Sequence, residues 1–267
     1  MAVERANAYY AQTVARTMQV LEVLGRYPDG LSLADLSREL GAPKSSLFPV
    51  LYTLEAEGYV SRSGRGPYRL GLRTFEVGYA YLEHNDLFRS FNAVARQLVE
   101  ETGETVQMAV LEGTEIVYVA KQEGVRPVRL VSAVGKRVPA HCTALGKALL
   151  ATLPDGEVER RYGSDPLPAM TPRSITTRRG LLIDLAGVRR RGYAIDREES
   201  MEGIACVAAA VRDPRGQVAA ISISVPLFRL GEGGPAALAP LVTRAAAEMS
   251  RQVGWRPGRG PASASIS

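Results

Sequence analysis

Apolar residues between positions 31 and 60 recur with the spacing of two short helices joined by a tight turn. The first helix carries the leucines Leu33, Leu36 and Leu40. The second carries one apolar stripe of Leu47, Val50, Leu51 and Leu54. Ser32 can cap the first helix, and Pro43 can open the second because its missing N–H is not needed there. Gly41 and Gly58 end the two helices. This order predicts a helix-turn-helix, whose second helix enters the major groove of DNA; a helical hairpin that only packs is the alternative.

A β-hairpin is predicted directly after the second helix. Residues 59–62 and 68–70 have the pattern of strands, and the Ser-Gly-Arg-Gly-Pro run between them predicts a turn. A hairpin in this position makes the unit a winged helix, and its arginines can contact phosphates or the minor groove. Between residues 42 and 73, five basic residues stand against two acidic ones. A solvated surface of mixed charge is therefore the alternative.

A further amphipathic helix over residues 13–26 precedes this motif, and Arg16 near its start can contact the DNA backbone or remain solvated. Double-stranded operator DNA is the partner that we expect for this part of the chain. The candidate DNA-binding residues are the basic and hydroxyl side chains of the helices and the hairpin. They are Arg16, Ser32, Lys44, Ser45, Ser46, Arg62, Arg65 and Arg69.

Residues 72–85 predict one more helix, with Phe75, Gly78, Tyr79 and Leu82 on one side. An aromatic stripe on a helix between two domains suits a contact between copies of the chain. Packing on its own domain is the alternative. We expect a homodimer or a tetramer.

The rest of the chain alternates strand and helix patterns. Strands are predicted over residues 105–111, 116–122, 128–133, 193–196, 205–212 and 217–225. Helices are predicted from Phe88 to just before Gly103 and over residues 143–153, 180–191 and 235–254. Because hairpins join most of the strands, this pattern predicts an antiparallel sheet flanked by helices, an α+β domain.

The length of 267 residues favours two domains over one. We divide the chain into a winged helix-turn-helix domain (1–71), a linker helix (72–86), a second domain (87–255) and a disordered tail (256–267). The tail is rich in Pro, Gly and Ser. The net charge of +5 permits a polyanionic partner without requiring one.

The sequence predicts a cytoplasmic protein without a membrane partner. No apolar run approaches the roughly 20 residues that span a bilayer, and the N-terminus lacks the apolar core of a signal peptide. The two cysteines, Cys142 and Cys206, are too few for a disulfide framework or a zinc finger.

The second domain carries little that could catalyse a reaction. The sequence has two histidines, and it has no nucleophile elbow, no cluster of metal ligands and no phosphate-binding glycine loop. His141 and Cys142 beside Cys206 could form a thiol or metal site, but neighbours on a strand point to opposite faces. We expect no catalytic residue, no metal and no cofactor.

A binding pocket fits the second domain better. Residues 143–147 open a helix with small side chains, and the N–H groups and dipole of such a start favour an anion, unless the start is simply capped. Ser222 and Ser224 alternate with aliphatic residues, so both hydroxyls lie on one face of a strand, toward a pocket or toward water. On the preceding strand, one face of small side chains leaves room for a ligand: Cys206, Ala208 and Ala210.

Three motifs in this order resemble the IclR (isocitrate lyase regulator) family of bacterial transcription factors over nearly the whole chain. They lie at residues 54–60 with 68–71, at residues 139–151, and at residues 192–199 with 203–209. The resemblance implies a winged helix, a linker helix and a GAF-like domain that binds a small metabolite, often a carboxylate or an aromatic acid. It also implies dimers or dimers of dimers.

By similarity to this family, the effector pocket would be lined by Thr143, Ala144, Leu145, Asp196, Cys206, Ser222 and Ser224. The carboxylate of Asp196 would repel an anionic effector unless it caps N–H groups or pairs with a base. We therefore assign Asp196 a structural or pocket-ordering role.

The chain departs from the family pattern at two positions. Phe48-Pro49 stands where the family usually has an arginine in the recognition helix, and an interior proline can kink a helix. Lys44, Ser45 and Ser46 then become the best candidates for contacting base edges. Arg212 stands where an aromatic residue is usual, and it is expected to affect only the end of a strand.

Our main hypothesis is a ligand-responsive, homo-oligomeric regulator; whether it represses or activates does not follow from any residue. One alternative is an enzyme on a GAF-like scaffold that uses Cys142 or Cys206 as a redox nucleophile. Another is an interaction module whose winged helix binds protein rather than DNA.

Overall fold

The computed structural model describes residues 10–83, 86–125, 132–214 and 218–255. Contacts divide the chain into two compact units, Met1–Asn85 and Asp86–Ser267. Over the described residues, no helix combines the length and the apolar character that crossing a bilayer requires.

The first unit is a three-helix core with a small wing and one further helix. Its elements are α1 (Gln12–Arg26), α2 (Leu33–Glu39), α3 (Lys44–Ala56), β1 (Val60–Ser61), β2 (Arg69–Leu70) and α4 (Leu72–Glu83). The two strands pair antiparallel, with Val60 opposite Leu70. The predicted helix-turn-helix and wing are therefore confirmed.

The core of the first unit is built from the predicted apolar stripes. Buried leucines and valines of the three helices pack together, and Val60 and Tyr68 close the cluster from the wing. Pro49 lies inside α3, which continues to Ala56. The hydroxyl of Thr53 donates to the carbonyl of Pro49 at 2.9 Å.

α4 does not bury its aromatic side. Phe75 and Tyr79 stack with ring centroids 5.6 Å apart, and half or more of each side chain is exposed. The alternative for this stripe was packing on its own domain. The structure does not show that packing for Phe75 and Tyr79. The side chain of Leu82 lies outside the described part of the chain.

The second unit is a six-stranded antiparallel sheet with helices on both faces. Its helices are α5 (Asp86–Thr102), α6 (Ala144–Leu150), α7 (Asp155–Tyr162), α8 (Arg178–Arg191) and α9 (Ala239–Gln252). Its strands are β3 (Thr105–Glu112), β4 (Glu115–Gln122), β5 (Arg137–Pro139), β6 (Ala194–Arg197), β7 (Ile204–Arg212) and β8 (Val218–Pro226). The strand order is β5-β4-β3-β8-β7-β6, which confirms the predicted α+β fold.

The period of two in the strands separates the two faces of this sheet. On β7, Val207 and Ala209 belong to the core under α5 and α9. Ala208 belongs to the opposite core, under α6 and α8. Cys206 packs against that second core as well, so the small side chains share one face, as their spacing indicates.

Several predicted boundaries need correction. Residues 140–142 form a short 3-10 helix, so His141 and Cys142 do not alternate across a strand and that argument against a shared site was wrong. β5 and α7 were not predicted. The helix expected over 143–153 ends at Leu150, and the one expected over 235–254 begins as the 3-10 turn Pro235–Leu238.

Two other predictions fall on residues that the structure does not describe. The strand expected over 128–133 lies mostly there, and its described residues, Ser132 and Ala133, are not in a strand. The tail 256–267 also lies outside the described residues.

The end of α8 lies where the sequence predicts it. Gly192 ends this helix with φ of 81°, in the left-handed region that glycine adopts without strain.

Candidate nucleic-acid interface and ligand cavity

The recognition helix α3 has one buried and one exposed face. Its buried side chains are Leu47, Val50, Leu51 and Leu54. The exposed side chains are Lys44, Ser45, Phe48, Pro49, Tyr52, Thr53 and Ala56. Phe48 is 51% exposed and Tyr52 is 67% exposed. Sequence reasoning named Phe48 only as a departure from the family pattern and missed Tyr52, although the i, i+4 spacing of the two aromatics off the apolar stripe was visible.

Arg16 holds the start of the recognition helix. Its guanidinium donates to the hydroxyl oxygen of Ser46 at 3.0 Å. Ser46 in turn donates to the carbonyl oxygen of Pro43 at 2.8 Å. Both residues were predicted to contact DNA, and here their polar groups are used to join α1 to the first turn of α3.

Two of the three wing arginines bind within the first unit. Arg62 donates to a carboxylate oxygen of Glu55 at 3.2 Å and to the hydroxyl of Tyr68 at 2.9 Å. Its guanidinium also lies over the Tyr68 ring, 4.8 Å from the centroid. Arg69 donates to the carbonyl of Asp29 at 3.1 Å. These contacts attach the wing to the helices.

Three of the eight predicted DNA-binding residues remain open to a partner. Lys44, Ser45 and Arg65 are exposed, and they make no side-chain hydrogen bond or ion pair with described residues. Ser32 is occupied by a capping box, in which its hydroxyl accepts from the backbone N–H of Asp35. The exposed set therefore lies on the first turn of α3 and at the tip of the wing.

The second unit contains a cavity of about 140 Å³, roughly ten times the space that one water needs. Its polar lining is Gln107, Tyr118, Ser132, Lys136, Ser200, Cys206 and Ser224. Its apolar lining is Val138, Met170, Met201 and Ile204. Among the described lining residues there is one cation and no carboxylate. A small polar or anionic molecule with an apolar side suits this lining.

A chain of hydrogen bonds crosses the floor of the cavity. The thiol of Cys206 and the hydroxyl of Ser224 lie 3.2 Å apart. Ser224 donates to the amide oxygen of Gln107 at 3.3 Å, and the amide nitrogen of Gln107 donates to Ser132. The register places Cys206 opposite Ser224 on neighbouring strands. The polar groups of these four residues are thus linked to one another.

A buried ionic cluster joins α6, α8 and the loop after β6. The ammonium of Lys147, whose side chain is 1% exposed, lies 2.5 Å from Glu199 and 3.0 Å from Asp184. Burial raises the pKa of Glu199, although Lys147 opposes that change. Glu199 connects to Asp196, because its backbone N–H donates to an Asp196 carboxylate oxygen at 2.7 Å.

Asp196 orders the loop that reaches the cavity. It is fully buried and accepts from the backbone N–H of Glu199 and from the hydroxyl of Ser200 at 2.5 Å. Burial raises its pKa from 3.8 to about 6, and the neighbouring Glu199 adds to the rise. Ser200 lines the cavity, so Asp196 is linked to the lining through Ser200.

Besides Asp196 and Ser222, the predicted effector residues occupy three different environments. Cys206 and Ser224 line the cavity. Thr143 caps α6 by accepting from the N–H of Gly146 at 2.9 Å, and Ala144 and Leu145 are buried in the core under α6 and α8. The small residues of this turn have a packing reason: a Cβ at Gly146 would lie 2.1 Å from the carbonyl oxygen of Ala140.

Ser222 is the remaining predicted residue of this strand. It is 1% exposed, and its hydroxyl has no hydrogen-bond partner among the described residues. Gln107, which lies opposite Ser222 on β3, was missed by sequence reasoning. An amide side chain within an otherwise apolar strand run was the available signal.

The two thiols are poor nucleophiles in this structure. Burial raises the pKa of Cys142 and that of Cys206, where the nearby Asp196 charge adds to the rise. A reactive cysteine needs a depressed pKa and access to solvent. In the described part of the chain, no group of three or more His, Cys, Asp or Glu residues is placed to hold a metal ion.

Two family models match this chain. The IclR helix-turn-helix domain matches residues 13–64. The bacterial transcriptional regulator IclR C-terminal domain matches residues 79–251. The two matches cover the winged helix and the domain that holds the cavity.

Relatives match over almost the whole chain. The HTH-type transcriptional regulator XynR of Escherichia coli K12 is 32% identical over 246 residues, which are 91% of this chain and 98% of XynR. The HTH-type transcriptional repressor AllR of the same strain is 34% identical over 248 residues, 92% of each chain.

Solved structures show the same architecture. The IclR protein of Thermotoga maritima has a TM-score of 0.74 at 30% identity, covering 91% of this chain and 99% of that one. An IclR homologue from Microbacterium hydrocarbonoxydans, complexed with 4-hydroxybenzoate, has a TM-score of 0.79 at 24% identity, covering 90% and 98%. At that identity the second likeness extends to the fold alone.

Proposed function

The chain belongs to the IclR family of bacterial transcriptional regulators, and from that premise we propose that a small organic acid in the second domain controls its binding to operator DNA. The chain is a DNA-binding regulator with an effector-binding C-terminal domain. It is not an enzyme, so the redox alternative on Cys142 or Cys206 was wrong, in agreement with their raised pKa values.

The residues that line the cavity are the reason why we propose an acid as the effector. Lys136 supplies the only charge among the described lining residues, and Ser132, Ser200 and Ser224 supply hydroxyls. Hydrogen bonds to a carboxylate from cationic and hydroxyl donors are among the stronger polar interactions in proteins. Met170, Met201 and Ile204 would contact the apolar part of the effector. An aromatic acid has such an apolar part and is therefore a suitable effector.

The effector site that we propose combines the residues that line the cavity with predicted residues that do not line it. Cys206, Ser224 and Ser222 lie on its strands, and Asp196 positions the loop of Ser200 without facing the acid. We retain the segment Thr143, Ala144 and Leu145 as part of the proposed site, since α6 packs on the same face of the sheet as Cys206. Its contribution would require the helix start to shift from its present packing.

On the DNA side, we propose that Lys44 and Ser45 approach the bases and that Arg65 contacts a phosphate. Arg16, Ser32, Ser46, Arg62 and Arg69 would act mainly by holding the helices and the wing in place. We also propose a homodimer or tetramer in the cytoplasm. The exposed stack of Phe75 and Tyr79 supports a contact between copies.

Thermal-shift screening of the full chain with small carboxylates, including benzoate and hydroxybenzoates, tests the effector class. A ligand of the folded state raises the melting temperature by mass action. Lys136→Met should lower the affinity for an acid much more than for its neutral amide. The matched variant Arg160→Met lies on the surface of α7 and should change neither affinity.

A carboxylate that raises the melting temperature should also change the affinity of the protein for an operator duplex by roughly 5- to 150-fold, the usual range of coupling between two sites. Operator affinity is measured over several salt concentrations, because phosphate contacts make it fall with salt. An acid that stabilises the protein while operator affinity stays constant would contradict the proposed control. So would equal affinity of Lys136→Met for the acid.

A further inference from the structure

The exposed face of α3 differs chemically from a face that reads bases through hydrogen bonds. Between Lys44 and Glu55 it carries no charged and no amide side chain. Arg or Lys reads guanine, and Asn or Gln reads adenine, by paired hydrogen bonds in the major groove. Beyond its first turn, α3 has no residue of those four types to make such pairs.

The same face instead presents apolar groups. Phe48 and Tyr52 are 51% and 67% exposed, and Pro49 between them offers a ring without an N–H. The hydroxyl of Thr53 is occupied by the carbonyl of Pro49. The one apolar group that bases show in the major groove is the C5-methyl of thymine. Exposed rings on a helix that enters this groove are therefore complementary to thymine.

We propose that Phe48 and Tyr52 read thymine methyl groups and give the operator a requirement for thymine at the positions that they contact. The inference rests on the operator binding proposed above. The two residues are four positions apart on the helix, roughly 6 Å along its axis, and base pairs are spaced about 3.4 Å apart. Because the helix follows the inclined groove rather than the DNA axis, their two thymines should lie within about two base steps of each other.

The orientation of this face is set by contacts that do not involve the two rings. Arg16 attaches the first turn through Ser46, and the buried leucines hold the opposite side. Replacing Phe48 or Tyr52 by alanine consequently removes the exposed ring while the anchors of the helix remain. These variants are expected to fold, which circular dichroism checks.

The test uses the full chain and the duplex that it selects from a random library. Each thymine of that duplex is replaced in turn by deoxyuridine, which removes only the methyl group. Loss of one methyl contact should weaken binding about fourfold at one or two positions. Phe48→Ala should abolish the uracil effect at one of them, and Tyr52→Ala at the other.

Phe228→Ala is the matched control, because Phe228 is 81% exposed and lies in the second unit; it should keep the whole uracil pattern. If a specific duplex is selected but every uracil substitution is neutral, the inference is wrong while the proposed function stands. If no specific duplex is selected, the proposed function itself fails. If Phe48→Ala changes the molecular mass in solution and leaves the uracil pattern intact, this face is a contact between copies and the inference is overturned.

Discussion

The two units differ in where they keep their polar groups. In the described part of residues 1–85, every buried side chain is apolar except for the hydroxyl of Tyr68. In residues 86–255, the buried set includes Lys147, Asp196 and Glu199 as well as several hydroxyl side chains. The first unit therefore carries its polar chemistry on the surface, and the second also carries polar and charged groups in its interior.

This difference has an energetic consequence. Surface substitutions usually change stability by less than about 0.5 kcal/mol, so the reading face of the first unit can change without loss of the fold. A buried charge that loses its partner costs several kcal/mol. In the second unit, stability and ligand binding should therefore depend in part on the same residues, such as the buried Gln107 and Ser224 of the cavity, whereas Lys136 is exposed. The single tryptophan, Trp255, lies in the second unit, and we expect its fluorescence to follow the unfolding of that unit.

The largest effect is expected from Lys147→Met. The variant leaves Glu199 and Asp184 without their shared buried cation, which should lower the free energy of unfolding by about 3–5 kcal/mol. Urea unfolding followed by Trp255 fluorescence measures it. Arg160→Met, on the surface of the same unit, should cost less than about 0.5 kcal/mol.

Adding Glu199→Gln to Lys147→Met sharpens this result. The second change removes a carboxylate that the first change left unpaired, so the double variant should be more stable than Lys147→Met alone. A Lys147→Met protein as stable as Arg160→Met would contradict the contrast between the two units.

The next effect is the pH dependence that Asp196 contributes. Its pKa is raised from 3.8 to about 6 by burial, so the folded state binds a proton that the unfolded state releases between these values. The stabilisation is fully present below about pH 4 and is lost as the pH rises through about 6. Relative to Asp196→Asn, the free energy of unfolding should fall by up to about 3 kcal/mol over that range.

Urea unfolding at steps between about pH 3.5 and pH 7.5 measures this difference. Asp196→Asn keeps an oxygen that can accept from the N–H of Glu199. Burial lowers the pKa of His141 in both proteins, so the contribution of His141 to the pH dependence cancels in the difference. Parallel curves for the two proteins would show that Asp196 titrates at its ordinary pKa.

Ser224→Ala and Ser222→Ala form a pair with a smaller expected difference. Ser224 exchanges hydrogen bonds with Cys206 and Gln107, so its loss should cost about 1–2 kcal/mol. The hydroxyl of Ser222 has no partner among the described residues, so Ser222→Ala should be neutral or slightly stabilising. If Ser222 contacts the effector, that variant should be stable and yet lose acid binding. Equal costs for the two variants would contradict the geometry of the floor.

The smallest effects on stability are expected at the wing. Arg65→Met should leave the melting temperature unchanged and should reduce the slope of log affinity against log salt by about 0.9, the value for one phosphate contact. Arg62→Met should lower the stability of the first unit by about 1 kcal/mol or less, because Glu55 and Tyr68 lose a partner at the surface. Calorimetry and operator titration separate the two. A salt slope that falls for Arg62→Met and not for Arg65→Met would reverse the roles assigned here.

Sequence reasoning succeeded where structure depends on neighbours along the chain. The spacing of Leu47, Val50 and Leu51 identified the buried face of α3, and Gly192 identified the end of α8. It failed for the 3-10 helix at residues 140–142 and for the strand Arg137–Pro139, because both are short and have no period of their own.

The amino-acid sequence by itself determined the order of the elements, the faces that are buried and the family motifs. Only the tertiary structure decided which polar residues are used internally and which remain open to a partner. Arg16 meets Ser46 across 30 positions, Lys147 meets Glu199 across 52, and Ser224 meets Gln107 across 117. Periodicity reports the polarity of a face, whereas a hydrogen bond or an ion pair depends on atoms that only the folded chain brings together.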